Sequence, residues 1–305
     1  MTDYVVKTMN LSKKYKNNLV VDNLNLNIKR GEIYGFIGEN GAGKSTTLRM
    51  LTGLSKPTSG KINLFGFDFE SKSGNFRKRI GALIESPAFY PSMSAYENLE
   101  ACRIQKGIPG KKSTDKLLEF VDLPNPSKKK VKNFSMGMKQ KLGLAIALMG
   151  DPELLILDEP VNGLDPVGIV QMREKLKKLN SNKNMTIIIS SHILGELYQL
   201  ASCFGIIHRG KLIEELTLET LNKKCRRSLN IKTDNVEKAA VILEGKLNTS
   251  NFNVLPDKTI ALYDYIDNPG KVSSALSRAN VTVEQIMPTG QNLEDYFINL
   301  IGGLK

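Results

Sequence analysis

Apolar positions along the chain fall into short runs divided by glycine, proline and charged clusters, and their spacing changes from region to region. Tyr4–Leu11 is mostly extended in character. Leu19–Ile28 places apolar residues at Val21, Leu24, Leu26 and Ile28, near the period of two that predicts a half-buried strand. After Gly31, Ile33–Ile37 reads as a short buried strand. A glycine-rich loop at Gly38–Gly43 leads into a helix over Lys44–Leu54, stopped by Gly53 with Pro57 beyond. The region from Met93 to Asn133 reads as mainly helical, with helices over Ser94–Lys106 and Ser113–Val121 separated by Gly107, Pro109 and Gly110. A third helix covers Ser135–Met149, where Gly143, Ala145 and Ala147 suggest close packing. Strand character returns at Leu154–Leu157, Thr186–Ser190 and Gly205–Ile207, with a helix over Val167–Leu179 between the first two. Strands alternating with helices argue for an α/β core around a parallel sheet.

The pattern changes after about Leu221, where Lys223-Lys224-Cys225-Arg226-Arg227 reads as a junction. Beyond it come a strand (Leu229–Thr233), a helix (Val236–Leu247), two strands (Phe252–Leu255, Thr259–Tyr263), a helix (Val272–Ala279), a strand (Val281–Ile286) and a last helix (Leu293–Leu300). This β-α-β-β-α-β order predicts a small α+β domain on the ferredoxin-like plan.

Composition narrows the classes. The 305 residues suit one large domain or two ordinary ones, and 41% hydrophobic with 24% charged residues exclude disorder, collagen and a coiled-coil rod. No apolar run approaches the ~20 residues of a membrane helix. Met1-Thr2-Asp3-Tyr4 lacks a secretory pattern, so the chain is expected in the cytoplasm. Three well-separated cysteines fit a reducing compartment, and two histidines argue against a histidine-built metal centre. The net charge of +12 favours an anionic partner or a lysine-rich solvated surface, with its densest run at Lys128–Lys132.

Two motifs carry chemistry. Gly38-Glu39-Asn40-Gly41-Ala42-Gly43-Lys44-Ser45 fits G-x-x-x-x-G-K-[ST]. Glycines let backbone N–H groups converge on phosphates, and the following helix turns its positive end to the anion. Lys44 would reach the β- and γ-phosphates, and Ser45 would ligate Mg²⁺. The second motif is the apolar strand Leu154–Leu157 ending in Asp158-Glu159. Open α/β sheets bind ligands at the carboxyl ends of their strands. Asp158 would sit near Mg²⁺, directly or through water, and Glu159 could act as general base toward the attacking water.

With these motifs in order, the sequence resembles the ATP-binding subunit of an ABC transporter over about residues 4–217. Asn162-Gly163-Leu164-Asp165 looks like the family's D-loop, which crosses to a partner subunit, and Ser191-His192 like its switch-histidine loop. The resemblance implies that Tyr15 stacks on adenine and that Gly38, Asn40, Gly41, Gly43, Lys44, Ser45 and Thr46 hold the phosphates. His192 would contact the γ-phosphate, and Asp165 would lie at the nucleotide through the D-loop. Phe134-Ser135-Met136-Gly137-Met138 stands where the family normally reads Leu-Ser-Gly-Gly-Gln. Ser135 and Gly137 keep the groups that would cap the γ-phosphate of the opposite subunit. Glu85, in Ile84-Glu85-Ser86-Pro87, replaces the usual Q-loop glutamine and joins Ser45 and Asp158 as an expected Mg²⁺ ligand.

Both departures, with the stretch Leu293-Glu294-Asp295-Tyr296-Phe297, are similar to the bacitracin-exporter and lantibiotic-immunity branch. The fold so implied is a P-loop NTPase of ABC type over 1–220, with a helical subdomain at about 90–150, followed by the accessory domain at 221–305. The function implied is an ATP- and Mg²⁺-dependent hydrolase driving antimicrobial-peptide export. It would pair with a second ATP-binding subunit, as a homodimer or with a close paralogue, and with a separate membrane permease at the cytoplasmic face. No nucleic-acid partner is expected. The alternatives are a soluble ABC ATPase acting on ribosomes or nucleic acid, and a nucleotide-binding protein that does not turn over.

Overall fold

The computed structural model describes residues 3–69, 75–85, 89–110, 112–123, 129–225, 227–290 and 293–302. Ser86, Pro87, Lys128, Arg226 and the final residues after Gly302 lie outside them. The chain divides into two units, Met1–Leu218 and Glu219–Lys305.

The first unit is built on a six-stranded sheet. From edge to edge it runs Lys211–Thr217, Cys203–His208, Ile33–Ile37, Thr186–Ser191, Leu154–Asp158, Ile80–Leu83. All pairs are parallel except the hairpin of Lys211–Thr217 with Cys203–His208. Every residue of Ile33–Ile37, Leu154–Asp158 and Thr186–Ser191 is buried. That is why these strands read as unbroken apolar runs: a parallel sheet is covered on both faces. The register pairs Ile37 with Ser191 and Asp158 with Ser190, so three carboxyl ends meet on one edge of the sheet.

A second, antiparallel sheet centres on Tyr4–Tyr15, which pairs with Asn18–Leu24, Asn27–Lys29 and Ser59–Leu64. One hydrophobic cluster joins this sheet to the helix Lys44–Thr52 and the parallel sheet, through Leu11, Leu24, Ile28, Leu48, Leu51 and Ile156. The single strand expected over Leu19–Ile28 is broken at Asn25-Leu26. Thr8 causes the break locally: its hydroxyl donates to the Leu24 carbonyl at 2.9 Å and accepts from the Leu26 N–H at 2.8 Å.

Helices Ala95–Gln105, Lys112–Phe120 and Met136–Leu148 fill the expected helical region. Ser94 and Glu97 form a reciprocal capping box at the start of the first. The helix after Asp158-Glu159 is longer than its apolar pattern suggested, Pro166–Lys183, with Asp165 as N-cap and Pro166 in the first turn.

In the second unit, helix Leu218–Cys225 leads to strand Ser228–Thr233, helix Val236–Leu247, strands Phe252–Val254 and Ile260–Leu262, helix Pro269–Ser277, strand Val283–Thr289 and helix Leu293–Gly302. The four strands form one antiparallel sheet in the order Phe252–Val254, Ile260–Leu262, Ser228–Thr233, Val283–Thr289. Leu229, Ile231, Ile260 and Leu262 pack with Ala239, Leu243, Val272 and Leu276 of two helices, giving this unit its own core.

Candidate functional site

The phosphate loop links strand Ile33–Ile37 to helix Lys44–Thr52. Gly43 caps that helix in the left-handed region at φ 109°, and a Cβ there would lie 2.8 Å from the Val20 carbonyl oxygen, so only glycine fits. Gly41, at φ 82°, faces space with no atom within 4 Å of where a Cβ would be. The first helical hydrogen bond runs from the Thr47 N–H to the Gly43 carbonyl at 2.9 Å. The N–H groups just ahead of it have no intrahelical acceptor, and no acidic residue stands in the first turn. The result is an anion receptor made of backbone. Gly38, Lys44 and Thr46 are buried, Ser45 is half-buried, and Asn40 and Gly41 are exposed at the mouth.

Lys44 points back into the loop. Its ammonium donates to the carbonyls of Gly38 at 2.7 Å and Glu39 at 3.2 Å, and lies 3.6 Å from Glu159 Oε1. Burial lowers its pKa, opposed by the negative charges of Glu159 and Asp158.

Asp158 is buried, and its Oδ1 accepts a 2.5 Å bond from the Ser190 hydroxyl. Glu159 holds φ 46°, a strained value for a residue with a side chain. Its N–H is tied to Ser190 twice, to the hydroxyl at 3.0 Å and the carbonyl at 3.2 Å. Its Oε2 meets His192 Nδ1 at 3.0 Å and accepts a bond from the Asn162 amide. Glu159 therefore collects Lys44, His192 and Asn162 from three separate loops. The sequence reading missed Ser190, which orients both acids; the signal was its place at the end of an apolar strand beside the one that carries them.

Glu85 lies against Arg49. It sits at φ 59° with its carboxylate on the Arg49 guanidinium, in the last turn of the phosphate-loop helix. The Arg49 hydrogen bond holds Glu85 below the usual carboxylate range and raises Arg49 in turn. Among the described residues, no three acidic, histidine or cysteine side chains gather as a metal cluster.

Ser135 is the N-cap of helix Met136–Leu148, its hydroxyl accepting from the Met138 N–H at 3.3 Å. A Cβ on Gly163 would lie 2.6 Å from Met136 Cγ, and one on Gly137 would lie 3.1 Å from Leu164 Cδ2. The signature turn and the D-loop thus pack on each other. Among the described residues, no hydrogen bond joins Ser135 or Gly137 to the phosphate loop of the same chain. Asp165 spends its carboxylate on the Gly168 N–H at 3.0 Å as helix cap. Tyr15 is 44% exposed at the end of its strand, its hydroxyl 3.4 Å from Ser55 Oγ.

Comparison with known proteins fits this geometry. The ABC transporter family model matches residues 21–162. The chain is 46% identical to the bacitracin transport ATP-binding protein BcrA of Bacillus licheniformis, over 98% of each chain. It is 45% identical to the lantibiotic transport ATP-binding protein SrtF of Streptococcus pyogenes, over 69% of this chain and 90% of the relative. Among solved structures, a dimeric ATP-binding cassette in a post-hydrolysis state with ADP and Pi aligns at TM-score 0.65 and 27% identity, covering 70% of this chain and 98% of that one. A phosphate loop, an acid pair and a histidine brought together on this fold, in a chain so similar end to end, place it in one family: it belongs to the ATP-binding, ATP-hydrolysing subunits of ABC transporters.

Proposed function

We propose that this subunit drives export of antimicrobial peptides, of the kind named for its bacitracin and lantibiotic transport relatives. The observation that carries the hydrolytic reading is the Glu159 carboxylate, held between Lys44 and His192 one residue beyond Asp158. When ATP enters, its phosphates take Lys44 and the backbone N–H groups of the loop. Glu159 is then released from the lysine and accepts the proton of the attacking water. The water oxygen bonds to the γ-phosphorus, the bond to the ADP oxygen breaks, and His192 supports the departing charge.

The Ser45 hydroxyl and the Asp158 carboxylate are hard oxygen donors that suit Mg²⁺, which keeps several waters and phosphate oxygens as its remaining ligands. The ion would neutralise phosphate charge there. Glu85 stays outside this set while Arg49 holds it. Tyr15, open at the end of its strand, offers an aromatic face to adenine.

Two copies facing head to tail complete each site. The start of helix Met136–Leu148, with Ser135 and Gly137, presents N–H groups to the γ-phosphate of the other copy. Asp165 reaches the same interface through its D-loop. Motion of the pair passes to a separate membrane permease at the cytoplasmic face. Among the described residues, no helix is long and apolar enough to cross a membrane. Residues 1–220 form the ABC domain in this reading and 221–305 an accessory domain. The antiparallel order of its strands supports the ferredoxin-like assignment.

The test is to express the chain with its candidate permease in a bacitracin-sensitive host and fractionate the cells. Resistance with the native chain, its loss with Glu159→Gln, and recovery of the chain with membranes are expected. Recovery with ribosomes and no resistance would overturn the reading.

A further inference from the structure

One flank of the phosphate loop is closed by the hairpin turn that follows strand Cys203–His208. The Gly210 N–H donates to the Ala42 carbonyl at 2.9 Å, and the Gly210 carbonyl accepts from the Asp22 N–H at 2.9 Å. The Ile207 carbonyl oxygen approaches Gly38 so closely that a Cβ there would lie 2.4 Å away. The hairpin therefore touches the loop at two points through its backbone, with the Ile207 side chain packed beside Gly38.

Between those points stands His208, whose side chain is 11% exposed. Its Nδ1 is buried and makes no hydrogen bond among the described residues. That nitrogen lies 3.4 Å from Oε2 of Glu39, the second residue of the phosphate loop. An orphaned buried nitrogen is costly, and a small rotation toward the carboxylate would satisfy it.

Glu39 needs an account of its own. A carboxylate inside a polyanion receptor repels its ligand if it swings inward, and the repulsion grows as water leaves. The Glu39 side chain is 61% exposed and has room to move, while its main-chain carbonyl is fixed by Lys44.

We propose that His208 is a positioning residue for ATP binding. Its Nδ1 holds the Glu39 carboxylate on the hairpin side of the loop, away from the entering phosphates. The inference rests on the reading of Gly38–Ser45 as the phosphate site. It is separate from hydrolysis, because no hydrogen bond among the described residues joins His208 to Asp158 or Glu159.

The experiment measures KM and kcat for Mg-ATP, and Kd for a fluorescent ATP analogue, in the full chain. The variants are H208A, H208N, E39Q and H208A/E39Q, with K44A as control. H208A should raise KM about five- to tenfold with kcat within about twofold, the mark of lost binding rather than lost chemistry. E39Q alone should stay within about twofold of native, as should H208N, which keeps an N–H donor. The double variant should return KM to near native, since no charge remains to be held back. A KM in the double variant as high as in H208A would reduce His208 to packing and overturn the proposal. So would an unchanged KM in H208A while K44A loses ATP. Retained binding in K44A would overturn the phosphate-site reading and this inference with it. If circular dichroism shows H208A unfolded, H208L fills the position without a donor and carries the same expectations.

Discussion

Glu159 accepts bonds from His192 and Asn162 and faces Lys44 across 3.6 Å, while its own backbone is held at a positive φ. A side chain so restrained is pre-oriented for one proton transfer. Glu159→Gln keeps the shape and loses the base, so kcat should fall by roughly 10²–10⁴-fold with ATP affinity preserved. Turnover measured beside analogue binding checks this; near-native turnover would take Glu159 out of the role. A second prediction concerns Glu85. Because Arg49 neutralises it, Glu85→Gln alone should shift the Mg²⁺ dependence of ATP binding by less than about twofold. In an Arg49→Met background the unpaired carboxylate lies free, and the same change should shift it by more than about fivefold. Superimposable titrations in both backgrounds would show that Glu85 does not sense the metal site. Lys44, Ser45, Asp158 and Glu159 were legible because each belongs to a contiguous motif. The Arg49–Glu85 pair was not, because its members stand 36 positions apart and meet only through the fold.

Strands covered on both faces were legible as apolar runs, whereas short or one-sided strands were not. Ile80–Leu83 has four residues, and one is Gly81, whose Cβ would lie 2.1 Å from the Ala147 carbonyl oxygen. Close helix packing selected a residue that carries no strand signal. Ser59–Leu64 and Lys211–Thr217 alternate too weakly to stand out, since neither buries more than two of its residues. Charge joins Ile80–Leu83 to other strands of its sheet. Glu153, just ahead of strand Leu154–Asp158, accepts from Arg79, ahead of Ile80–Leu83, at 2.8 Å and from Arg30, near the start of Ile33–Ile37, at 2.9 Å. Those bonds, led by Arg79, depress the Glu153 pKa to about 2, against about 4.3 in an unfolded chain. The depressed acid stabilises the fold fully above about pH 5, and the contribution disappears as pH falls toward 2. Half-exposure keeps the effect modest. Native protein should therefore lose Tm more steeply than Glu153→Gln between pH 5 and pH 3, by differential scanning fluorimetry. Parallel curves would mean that the arginines do not discriminate the ionised form.

At the scale of the whole molecule, the α/β core was readable from the alternation of strands and helices, and the change of element order near Leu221 marked a second region. The antiparallel sheet around Tyr4–Tyr15 was harder to read. Its partner strands are short, and the Thr8 hydroxyl interrupts one of them by replacing a backbone partner. The structure divides the chain after Leu218, and each unit carries a separate set of fully buried apolar residues. Independent cores make independent folding the physical expectation. The phosphate loop, both acids and His192 all lie in the first unit, and the hydrogen bonds that orient them come from within it. A chain ending at Leu218 should fold and bind Mg-ATP with affinity within about threefold of the full chain, since no site group is removed. Transport has a different requirement if the second unit engages a partner, so resistance conferred by the shortened chain should fall while its ATP affinity holds. Analogue binding, circular dichroism and a resistance assay on the same two proteins separate the outcomes. A shortened chain that is folded yet cannot bind ATP would show that the second unit supports the nucleotide site.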